Sequence, residues 1–433
     1  MSPTKSTIAW PNGKAYFFED TNYHRYDFLT GNREATSPIT PIWRGLRNTA
    51  PDAAVYWGFG KVYFFYGDEY VRFDIGKDEV EAYYLPPNPP RKITEAWNGW
   101  PSDWNKIDAA VNWCSGKIYF FRGSEYLRYD TSLDRVDPTY PKSIAGNWPG
   151  VPNNLDSVLY QGGEKAYFFK DNTYYRYDLT IDNVDQSGPI GTLKLDPVPP
   201  GMMTPSRDLT QKDAHLITGY LVENNKLTLS PPYAGDWQST ITTPSLGKRV
   251  VVKPAQINSV DFFYSTGTSP LIDNLDQRML VCLYRLTRWV NAWEPNVTVI
   301  RHLGIGHGSG PENDCHNQGR ALDFAGLEGT SLGIAFNRKV LQDWGMKPVV
   351  SGSPLRLDPA ADQLAHDLFL TAFRFGTYEC ECNGIGSGNK WPPKEIGDVG
   401  GFVIHPDYID SPGESLRAAH QDHIHMQIGP TLS

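Results

Sequence analysis

The chain has 433 residues, of which 40% are hydrophobic, 21% are charged and 13% are aromatic, and its formal net charge at pH 7 is -9. That length exceeds what one ordinary hydrophobic core accommodates, so the sequence predicts two or more domains. The acidic balance and the lack of a Lys/Arg run argue against a nucleic-acid-binding protein, and no stretch approaches the ~18 consecutive apolar residues of a transmembrane helix.

The first seven residues, MSPTKST, do not have the charged and then apolar pattern of a cleaved signal peptide. We therefore expect a protein that is cytoplasmic before export and is secreted or injected without a recognisable Sec signal. A protein that stays in the cytoplasm, or a sequence that is already mature, remains an open alternative.

Five cysteines are sparsely distributed, with Cys114 alone in the first half. This odd number does not resemble the disulfide framework of a small secreted domain. The pairing state of the four cysteines in the second half stays open, and one or two bridges are compatible with their positions. These four are Cys282, Cys315, Cys380 and Cys382.

Four copies of one aromatic strand follow one another in the first half, beginning 47, 56 and 48 residues apart. Each copy is followed by a turn and a second strand, and three copies are preceded by a short strand that begins at Asp52, Asp108 or Asp156. Alternating aromatic and polar residues with Gly or Asp turns indicate β-hairpins, and a period of about fifty residues with several strands per unit is typical of a β-propeller. The two strands of each copy are Lys14–Phe18 and Tyr23–Asp27, Lys61–Phe65 and Tyr70–Asp74, Lys117–Phe121 and Tyr126–Asp130, and Lys165–Phe169 and Tyr174–Asp178.

These repeats resemble the hemopexin family over residues 6–200, and the resemblance implies an all-β four-bladed propeller that binds a protein or glycan ligand. In blade one, Ser6–Trp10 replaces the usual Asp-Ala-Ala strand. We therefore expect an irregular innermost strand there, and the loss of one of four contributors to an additional ion in the central channel. The disulfide that usually joins the first and last blades is absent, so ring closure is expected to depend on strand pairing and packing. Haem transport would need a pair of exposed histidines, and this half contains only His24, which is expected to be a surface or packing residue.

A stretch rich in Pro and polar residues marks the boundary between two domains. We place the propeller at residues 1–200, a linker at 201–213 and the second domain at 214–433. Short strands between Pro and Gly turns begin the second domain, at 227–229, 249–252 and 259–263.

Apolar residues from Leu271 to Val290 recur at spacings of three and four, which predicts an amphipathic helix over 271–293. Val297–Arg301 then has the composition of a buried strand. A mixture of strands and helices predicts an α+β fold for the second domain.

Two distant segments of the second domain contain the side chains of a candidate metal site. The first, C-H-N-Q-G-R-A-L-D, contains His316 and Asp323, and the second, H-Q-D-H-I-H, contains His420, His423 and His425. Zinc takes nitrogen and carboxylate ligands at about 2 Å, and a catalytic zinc keeps one position open to water. If the second segment enters a strand, His423 and His425 lie on one face of it. The pattern therefore predicts a zinc hydrolase.

The two motifs H-x-x-G-x-A-x-D and H-x-x-H-x-H resemble the zinc D-Ala-D-Ala peptidases of the LAS superfamily and the hedgehog-type domains, and the surrounding residues resemble the bacterial extensin-like branch. The resemblance implies that His316, Asp323 and His425 are the zinc ligands. It also implies that His423 stabilises the oxyanion and that His420 acts as the general base. Hydrolysis of peptide bonds follows, most often in the stem peptides of peptidoglycan.

Arg301 lies at the end of a predicted strand, fifteen residues before His316. In relatives of the peptidase superfamily an Arg in a Ser-Gly-Tyr-Arg segment holds the substrate carboxylate, which implies a catalytic role for Arg301. The flanking Ser-Gly-Tyr is missing here, so a structural Arg paired with an acid remains an equal alternative. His302 and His307 are expected to be structural or to support the ligands.

Together, the two halves predict a zinc metallopeptidase that a hemopexin-like propeller directs to its target, as in a toxin-like effector. Two alternatives remain open. The first is a non-catalytic binding protein that zinc stabilises, and the second is a toxin protease that cleaves host proteins.

Overall fold

The computed structural model describes residues 4–233, 236–238, 249–292, 296–308, 310–344, 362–380, 403–406 and 419–429, and Cys382 lies outside these ranges. The chain divides into two compact units, Met1–Met203 and Thr204–Ser433. None of the helices in the described ranges is long and apolar enough to cross a membrane.

The first unit is a four-bladed propeller in which each blade is an antiparallel sheet. The first strand of each blade packs against the first strands of both neighbouring blades, which closes the ring around a central channel. Blade one contains β1 (Ser6–Trp10), β2 (Lys14–Glu19), β3 (Asn22–Asp27) and β4 (Arg33–Pro38); blade two contains β5 (Ala53–Gly58), β6 (Lys61–Tyr66), β7 (Glu69–Asp74) and β8 (Glu79–Val80), with β9 (Arg91–Lys92) beside β7; blade three contains β10 (Ala109–Asn112), β11 (Lys117–Arg122), β12 (Glu125–Asp130) and β13 (Arg135–Val136), with β14 (Lys142–Ser143) beside β12; blade four contains β15 (Ser157–Tyr160), β16 (Lys165–Lys170), β17 (Thr173–Asp178) and β18 (Asn183–Pro189). The connections include helix α1 (Ile93–Ala96) and the 3-10 turns Ala82–Tyr84 and Ile190–Thr192.

The paired phenylalanines of the repeat interlock neighbouring blades. The second Phe of each blade makes an edge-to-face contact with the first Phe of the next blade, and all eight rings are buried. Aromatic pairs in this geometry add roughly 0.5–1.5 kcal/mol beyond the area that they bury. The four contacts, Phe18–Phe64, Phe65–Phe120, Phe121–Phe168 and Phe169–Phe17, have ring centroids 5.5–6.0 Å apart.

The Lys, Arg and Asp of each repeat form one charged network with a fourth residue, an acid seven positions after the Asp. In blade three, Lys117 Nζ lies 2.5 Å from Asp130 and 3.0 Å from Asp137, and the side chain of Lys117 is only 3% exposed. Arg128 pairs with the same Asp137. The equivalent lysines of blades one, two and four are 25%, 18% and 22% exposed, so the network of blade three is the most buried of the four. The fourth residues are Glu34, Glu81, Asp137 and Asp185.

Blade one closes the propeller without a disulfide. β1 pairs along its whole length with β2, so the expectation of an irregular innermost strand was wrong. Its sequence, Ser-Thr-Ile-Ala-Trp, contains the β-branched and aromatic residues that favour strands. Thr7 Oγ1 donates to the carbonyl of Val158 in blade four at 3.0 Å, and the amide of Val198 donates to the carbonyl of Phe28 at 3.0 Å. Ring closure therefore depends on hydrogen bonds and on phenylalanine packing.

The residues that line one end of the central channel include Asp52, Asp108 and Asp156, the aspartates that precede the first strands of blades two, three and four. Each carboxylate accepts a hydrogen bond from a backbone N–H in the β-hairpin turn of its own blade. Lys5 and Lys106 lie 2.9 Å and 2.8 Å from Asp52 and Asp108. Asp52 and Asp108 therefore each accept from a backbone amide and pair with a lysine, and the additional ion that the hemopexin resemblance led us to expect in the channel stays a prediction.

The second unit is mostly sheet, with few helices in the described residues. Its strands are β19 (Leu227–Leu229), β20 (Val250–Ile257), β21 (Val260–Tyr264), β22 (Ile272–Leu275), β23 (Asn296–Ile305), β24 (Ala321–Ser331), β25 (Ile334–Lys339), β26 (Val403–Ile404) and β27 (Ile424–Gln427). Its helices are α2 (Gln211–Glu223), α3 (Gln277–Val290), α4 (Val340–Asp343) and α5 (Gln363–Glu379), and Ser206–Asp208 is a 3-10 turn.

These strands form one nine-stranded sheet in the order β19-β20-β21-β23-β24-β27-β26, with β22 beside β20 and β25 beside β24. The β21–β23 pair is parallel, whereas β23–β24 and β24–β27 are antiparallel. Helix α5 packs behind β27, where a Cβ at Gly376 would lie 3.3 Å from Met426 Sδ. The sequence predicted an α+β domain, and the described residues instead give a unit that is dominated by its sheet.

The predicted helix over 271–293 is shorter than expected. Ile272–Leu275 is a strand, and Asn274 has a positive φ of 53°. The Asp276 side chain then caps α3 by accepting a hydrogen bond from the amide of Arg278. A short apolar run does not distinguish a strand from the first turn of a helix, which explains the error.

The division between the units falls inside the predicted linker 201–213, but the residues after it are bonded to the second unit. The carbonyl of Thr204 accepts a hydrogen bond from Arg285 of α3 at 2.6 Å, and the amide of Ser206 donates to Glu379 of α5 at 2.8 Å. The second unit therefore begins at Thr204 rather than at Ala214. These hydrogen bonds join positions 81 and 173 residues apart in the chain, which a local composition pattern does not reveal.

Candidate metal centre

The register of β24 and β27 brings Asp323 opposite His425. Successive residues of a strand point to opposite faces of its sheet. The flanking residues of both strands are completely buried, so Asp323 and His425 lie on the other face, where their side chains are 18% and 11% exposed. Those flanking residues are Leu322, Phe324, Ile424 and Met426.

His316 approaches the same carboxylate from the turn that precedes β24. His316 Nε2 lies 3.2 Å from Asp323 Oδ1, and His425 Nδ1 lies 2.8 Å from the same oxygen. One donor atom from each of the three residues lies within 4.8 Å of the other two. Two ligand bonds of about 2.0–2.1 Å at a tetrahedral angle separate their donor atoms by roughly 3.4 Å, so this spacing fits one zinc-sized ion.

The second nitrogen of each imidazole also bears on whether the cluster fits a metal. His425 Nε2 lies 3.1 Å from the side-chain oxygen of Gln427, which accepts the Nε2 proton and leaves Nδ1 directed at Asp323. Metal-ligating histidines usually donate their other ring N–H in this way. His316 Nδ1 is buried and has no hydrogen-bond partner among the described residues. Two imidazoles and one carboxylate in these environments fit a divalent cation.

The electrostatics of the cluster favour a cation. Burial by itself would raise the pKa of Asp323, but hydrogen bonds from His316 and His425 hold that pKa well below its usual range. Burial would lower the pKa of His425, and the hydrogen bond with Asp323 raises it instead. Asp323 is therefore a carboxylate anion at neutral pH, and it has the charge that a divalent cation requires.

His420 and His423 lie beside the three candidate ligands. His423 Nδ1 lies 2.7 Å from the carboxylate of Asp422, and His423 Nε2 lies 3.5 Å from Asp323 Oδ1. The ring of His420 is centred 4.7 Å from the ring of His423 and 5.7 Å from the ring of His425. The structure thus brings together five of the six site residues that the sequence predicts.

Two asparagines that the sequence analysis missed hold the loop before β24. Asn317 accepts a hydrogen bond from the amide of Gly308 at 2.9 Å and donates to the carbonyls of Gly310 and Pro311. Asn274 donates to the carbonyls of Gly306 and Asn317 at 2.7 Å and 2.8 Å. These bonds fix the backbone on either side of His316. Asn317 stands next to His316 in the sequence, which is the one signal that could have identified it.

Two glycines leave room for the cluster. Gly319 has a φ of 67°, and a Cβ there would lie 1.9 Å from the carbonyl oxygen of Asn274, so this close approach requires glycine. A Cβ at Gly304 would lie 3.2 Å from His316 Nδ1 and 3.4 Å from Asp323 Oδ2. The backbone of Gly304 therefore packs directly against the side chains of His316 and Asp323.

Arg301, the sixth predicted site residue, contacts the sheet and not the histidine cluster in the interactions that the structure describes. Its Nε lies 2.7 Å from Glu328 Oε1, and its Nη1 lies 3.4 Å and 3.3 Å from the carbonyls of Tyr264 and Gly267. These contacts engage the guanidinium within the sheet, which favours the structural alternative over the predicted role in holding substrate. Glu328 is 27 residues away on the neighbouring strand, beyond the reach of a local motif.

Two further histidines lie near the candidate ligands in sequence. His302 is buried, and this burial lowers its pKa to about 4. His307 Nε2 lies 2.8 Å from the carboxylate of Asp273. Among the described residues, the group of donors that could hold one ion consists of His316, Asp323 and His425, without these two histidines.

The match to a known protein family lies within the first unit. Residues 51–102, 107–153 and 155–198 match the Hemopexin family, and together they cover less than half of the chain. These ranges correspond to blades two, three and four. The first unit therefore contains hemopexin repeats, and residues 1–50 lie outside the matched ranges.

A curated relative, the neutrophil collagenase of Homo sapiens, is 48% identical over 48 residues, which is 11% of this chain. The match spans 10% of the length of that relative. Among solved structures, a seed albumin from Lathyrus sativus is 20% identical over 44% of this chain and 94% of its own, with a TM-score of 0.35. A hemopexin fold protein from cow pea is 19% identical over 44% of this chain and 94% of its own, with a TM-score of 0.38.

Proposed function

We propose that the second unit is a zinc-dependent peptidase or amidase and that the hemopexin-like propeller binds its target. The observation that carries this proposal is the convergence of His316 and His425 on one oxygen of Asp323. A structural zinc is closed by four protein ligands, whereas a catalytic zinc has three and keeps a position for water or substrate. The three donors here, with two more histidines beside them, correspond to the catalytic case.

His316, Asp323 and His425 would hold the ion. When bound, zinc supplies a Lewis acid that polarises a carbonyl and lowers the pKa of water. The chain itself supplies the groups that orient substrate and move protons. Without the ion, the contacts of both imidazoles with Asp323 keep the three side chains together.

His423 has the geometry of an oxyanion stabiliser. The carboxylate of Asp422 accepts the Nδ1 proton of His423, which directs Nε2 toward the cluster. When this imidazole is charged, Nε2 can donate to the negative oxygen that develops on a carbonyl under attack. Asp422 would then fix the orientation of the ring and stabilise its positive charge.

His420 has the position of a general base. Its ring lies next to those of His423 and His425, and it is half-buried rather than enclosed. In this role it would accept a proton from the attacking water and return it to the leaving amine, a contribution typically worth ~10²–10⁴ in rate.

The resemblance of the two motifs to zinc D-Ala-D-Ala peptidases supports stem peptides of peptidoglycan as the substrate. Hemopexin repeats support a protein or glycan ligand for the propeller, and the pair would suit a toxin-like effector.

Metal analysis of the purified full chain, combined with hydrolysis assays on peptidoglycan and on casein, tests this proposal. We expect about one zinc per chain and release of peptide fragments from peptidoglycan. His316→Ala should lose both the zinc and the activity, whereas His420→Ala should retain the zinc and lose the activity. His366→Ala on α5, outside the cluster, is the matched control and should retain both.

Zinc-loaded protein that releases nothing from either substrate would contradict a peptidase and indicate a binding protein with a structural ion. Cleavage of casein alone would replace peptidoglycan with protein substrates, as in a host-directed toxin protease. Equal activity of the wild type and His420→Ala would remove His420 from the mechanism.

A further inference from the structure

Two buried cysteines of the second unit face each other across a helix pair. Cys282 on α3 is 1% exposed, and Cys380, which follows the last residue of α5, is 0% exposed. Their sulfur atoms lie 3.8 Å apart, although 98 residues separate them in the chain. A disulfide has a sulfur–sulfur bond of about 2.05 Å, so the two sulfurs need to approach each other by about 1.75 Å to form one.

The surroundings of the two thiols hold them at this distance. Arg285, one turn after Cys282 on α3, pairs at 2.9 Å with Glu379, the residue before Cys380. Glu379 also accepts hydrogen bonds from the amide and the hydroxyl of Ser206, at 2.8 Å and 2.7 Å. These bonds join the middle of α3 to the end of α5 beside the two sulfurs.

Aromatic packing also joins helices α3 and α5. Trp289 of α3 contacts Phe375 of α5 with ring centroids 5.5 Å apart, and it stacks on Tyr378 at 5.9 Å. Two thiols held together in this way have a high effective concentration for each other, which favours an intramolecular bond over reaction with other molecules.

The geometry points to a disulfide between Cys282 and Cys380 as a modification site of this chain. The thiolate of one cysteine attacks a small-molecule disulfide, such as glutathione disulfide, and forms a mixed disulfide. The thiolate of the other cysteine then displaces the attached thiol. Two protons and two electrons leave the protein, and the small-molecule disulfide is reduced to two thiols. Because both sulfurs are buried, the bond forms during folding, before the two helices close over it.

The crosslink would fix the helix that lies behind the candidate metal centre. α5 packs against β27 through Gly376 and Met426, and Met426 is adjacent in sequence to His425. Joining α3 to the end of α5 therefore restrains the layer that holds β27 in place. The inference does not depend on the proposed function, since it concerns a bond between helices and not the cluster itself.

Counting free thiols in the denatured, unreduced full chain tests the disulfide after refolding with glutathione disulfide. The wild type has five cysteines, and we expect three to react. Cys380→Ala and Cys282→Ala should each show all four remaining thiols free. Cys382→Ala and Cys114→Ala are the matched controls and should each show two.

Mass spectrometry of an unreduced digest identifies the partners without any variant. A peptide that joins Cys282 to Cys380 is expected. Five reactive thiols in the wild type, or a peptide that joins Cys282 to Cys382, would overturn the assignment. Reductant should lower the thermal midpoint of the oxidised wild type by about 5–15 °C, and it should leave the midpoint of Cys282→Ala unchanged.

Discussion

His425 Nδ1 and Asp323 Oδ1 lie 2.8 Å apart across β24 and β27, between two residues that the strand register pairs directly. A slip of one residue in this register would turn one of them to the buried face. The candidate centre therefore depends on strand pairing as much as on the identity of its ligands.

Asp323→Asn should abolish tight metal binding while it conserves the shape of the side chain. The amide removes the negative charge between His316 and His425, so we expect zinc affinity to fall more than about 100-fold, beyond the usual effect of losing a supporting residue. Competition with a chelating dye measures the change. Asp422→Asn is the matched control, because it neutralises a neighbouring carboxylate that is not a candidate ligand. Unchanged affinity of the Asp323 variant would remove this residue from the ligand set.

Gln427 should set the tautomer of His425. Gln427→Ala removes the oxygen 3.1 Å from His425 Nε2, so we expect a roughly 10–100-fold loss of zinc affinity. Gln427→Glu retains an acceptor oxygen and should restore most of that affinity. Isothermal titration with zinc provides the measurement, and equal affinities for all three proteins would show that the hydrogen bond has no such role.

Arg301→Ala should weaken folding and leave substrate affinity unchanged. Arg301 and Glu328 form a pair at 2.7 Å with side chains 19% and 23% exposed, so its loss should lower the free energy of unfolding by about 1 kcal/mol. A double-mutant cycle with Glu328→Gln in urea unfolding measures the coupling. A large rise in KM with no loss of stability would restore the substrate-binding role that the sequence suggested.

Much of the first unit could be predicted from the sequence, because its signals are local and occur four times. The Lys, Arg and Asp of each hairpin were visible, but the acid seven residues later, such as Asp137, lies beyond the aromatic motif. The site was predictable where its ligands share short motifs, as with His316 and Asp323. Gln427 and Asn274 could not be predicted. Their side-chain amides form the hydrogen bonds that support the site only after distant strands and loops have come together. The start of α3 at Asp276 was missed because a short apolar run fits a strand as well as a helix, and the partner of Arg301 was missed because Glu328 lies on a neighbouring strand 27 residues away.

The charged networks of the four blades should differ in their contribution to stability. Lys117→Met leaves Asp130 without its ammonium partner in a site where both side chains are 3% exposed, so we expect a cost of about 3–5 kcal/mol. Lys14→Met removes the equivalent, 25% exposed group of blade one and should cost about 1 kcal/mol or less. Urea unfolding of the two variants compares them directly. Equal effects would show that burial does not determine the strength of these networks.

His24 should make the propeller less stable as the pH falls. Burial lowers its pKa from 6.5 to about 4, and its ring stacks on Phe17. Between those two values the unfolded chain takes up a proton that the folded chain does not. The contribution is therefore complete above pH 6.5, and about 3 kcal/mol of it is lost by pH 4.

The repeat itself provides the control for this titration. Leu127 occupies the equivalent position of blade three and is completely buried, so His24→Leu should fold and should flatten the pH dependence. Calorimetry of the full chain at several pH values makes the comparison. The same slope in both proteins would assign the acid sensitivity to other groups, such as Glu19, which lies 3.6 Å from His24.

The limited space beside Gly304 restricts which residues can replace it without moving the candidate ligands. A methyl group there would lie 3.2 Å from Nδ1 of His316, which is a tight contact, and 3.4 Å from Oδ2 of Asp323. We expect Gly304→Ala to keep every candidate ligand and every charge while it displaces the ring of His316 by a few tenths of an ångström. Among chains that share the same two motifs, a larger residue at this position would mark those whose histidine and aspartate side chains cannot adopt the arrangement seen here.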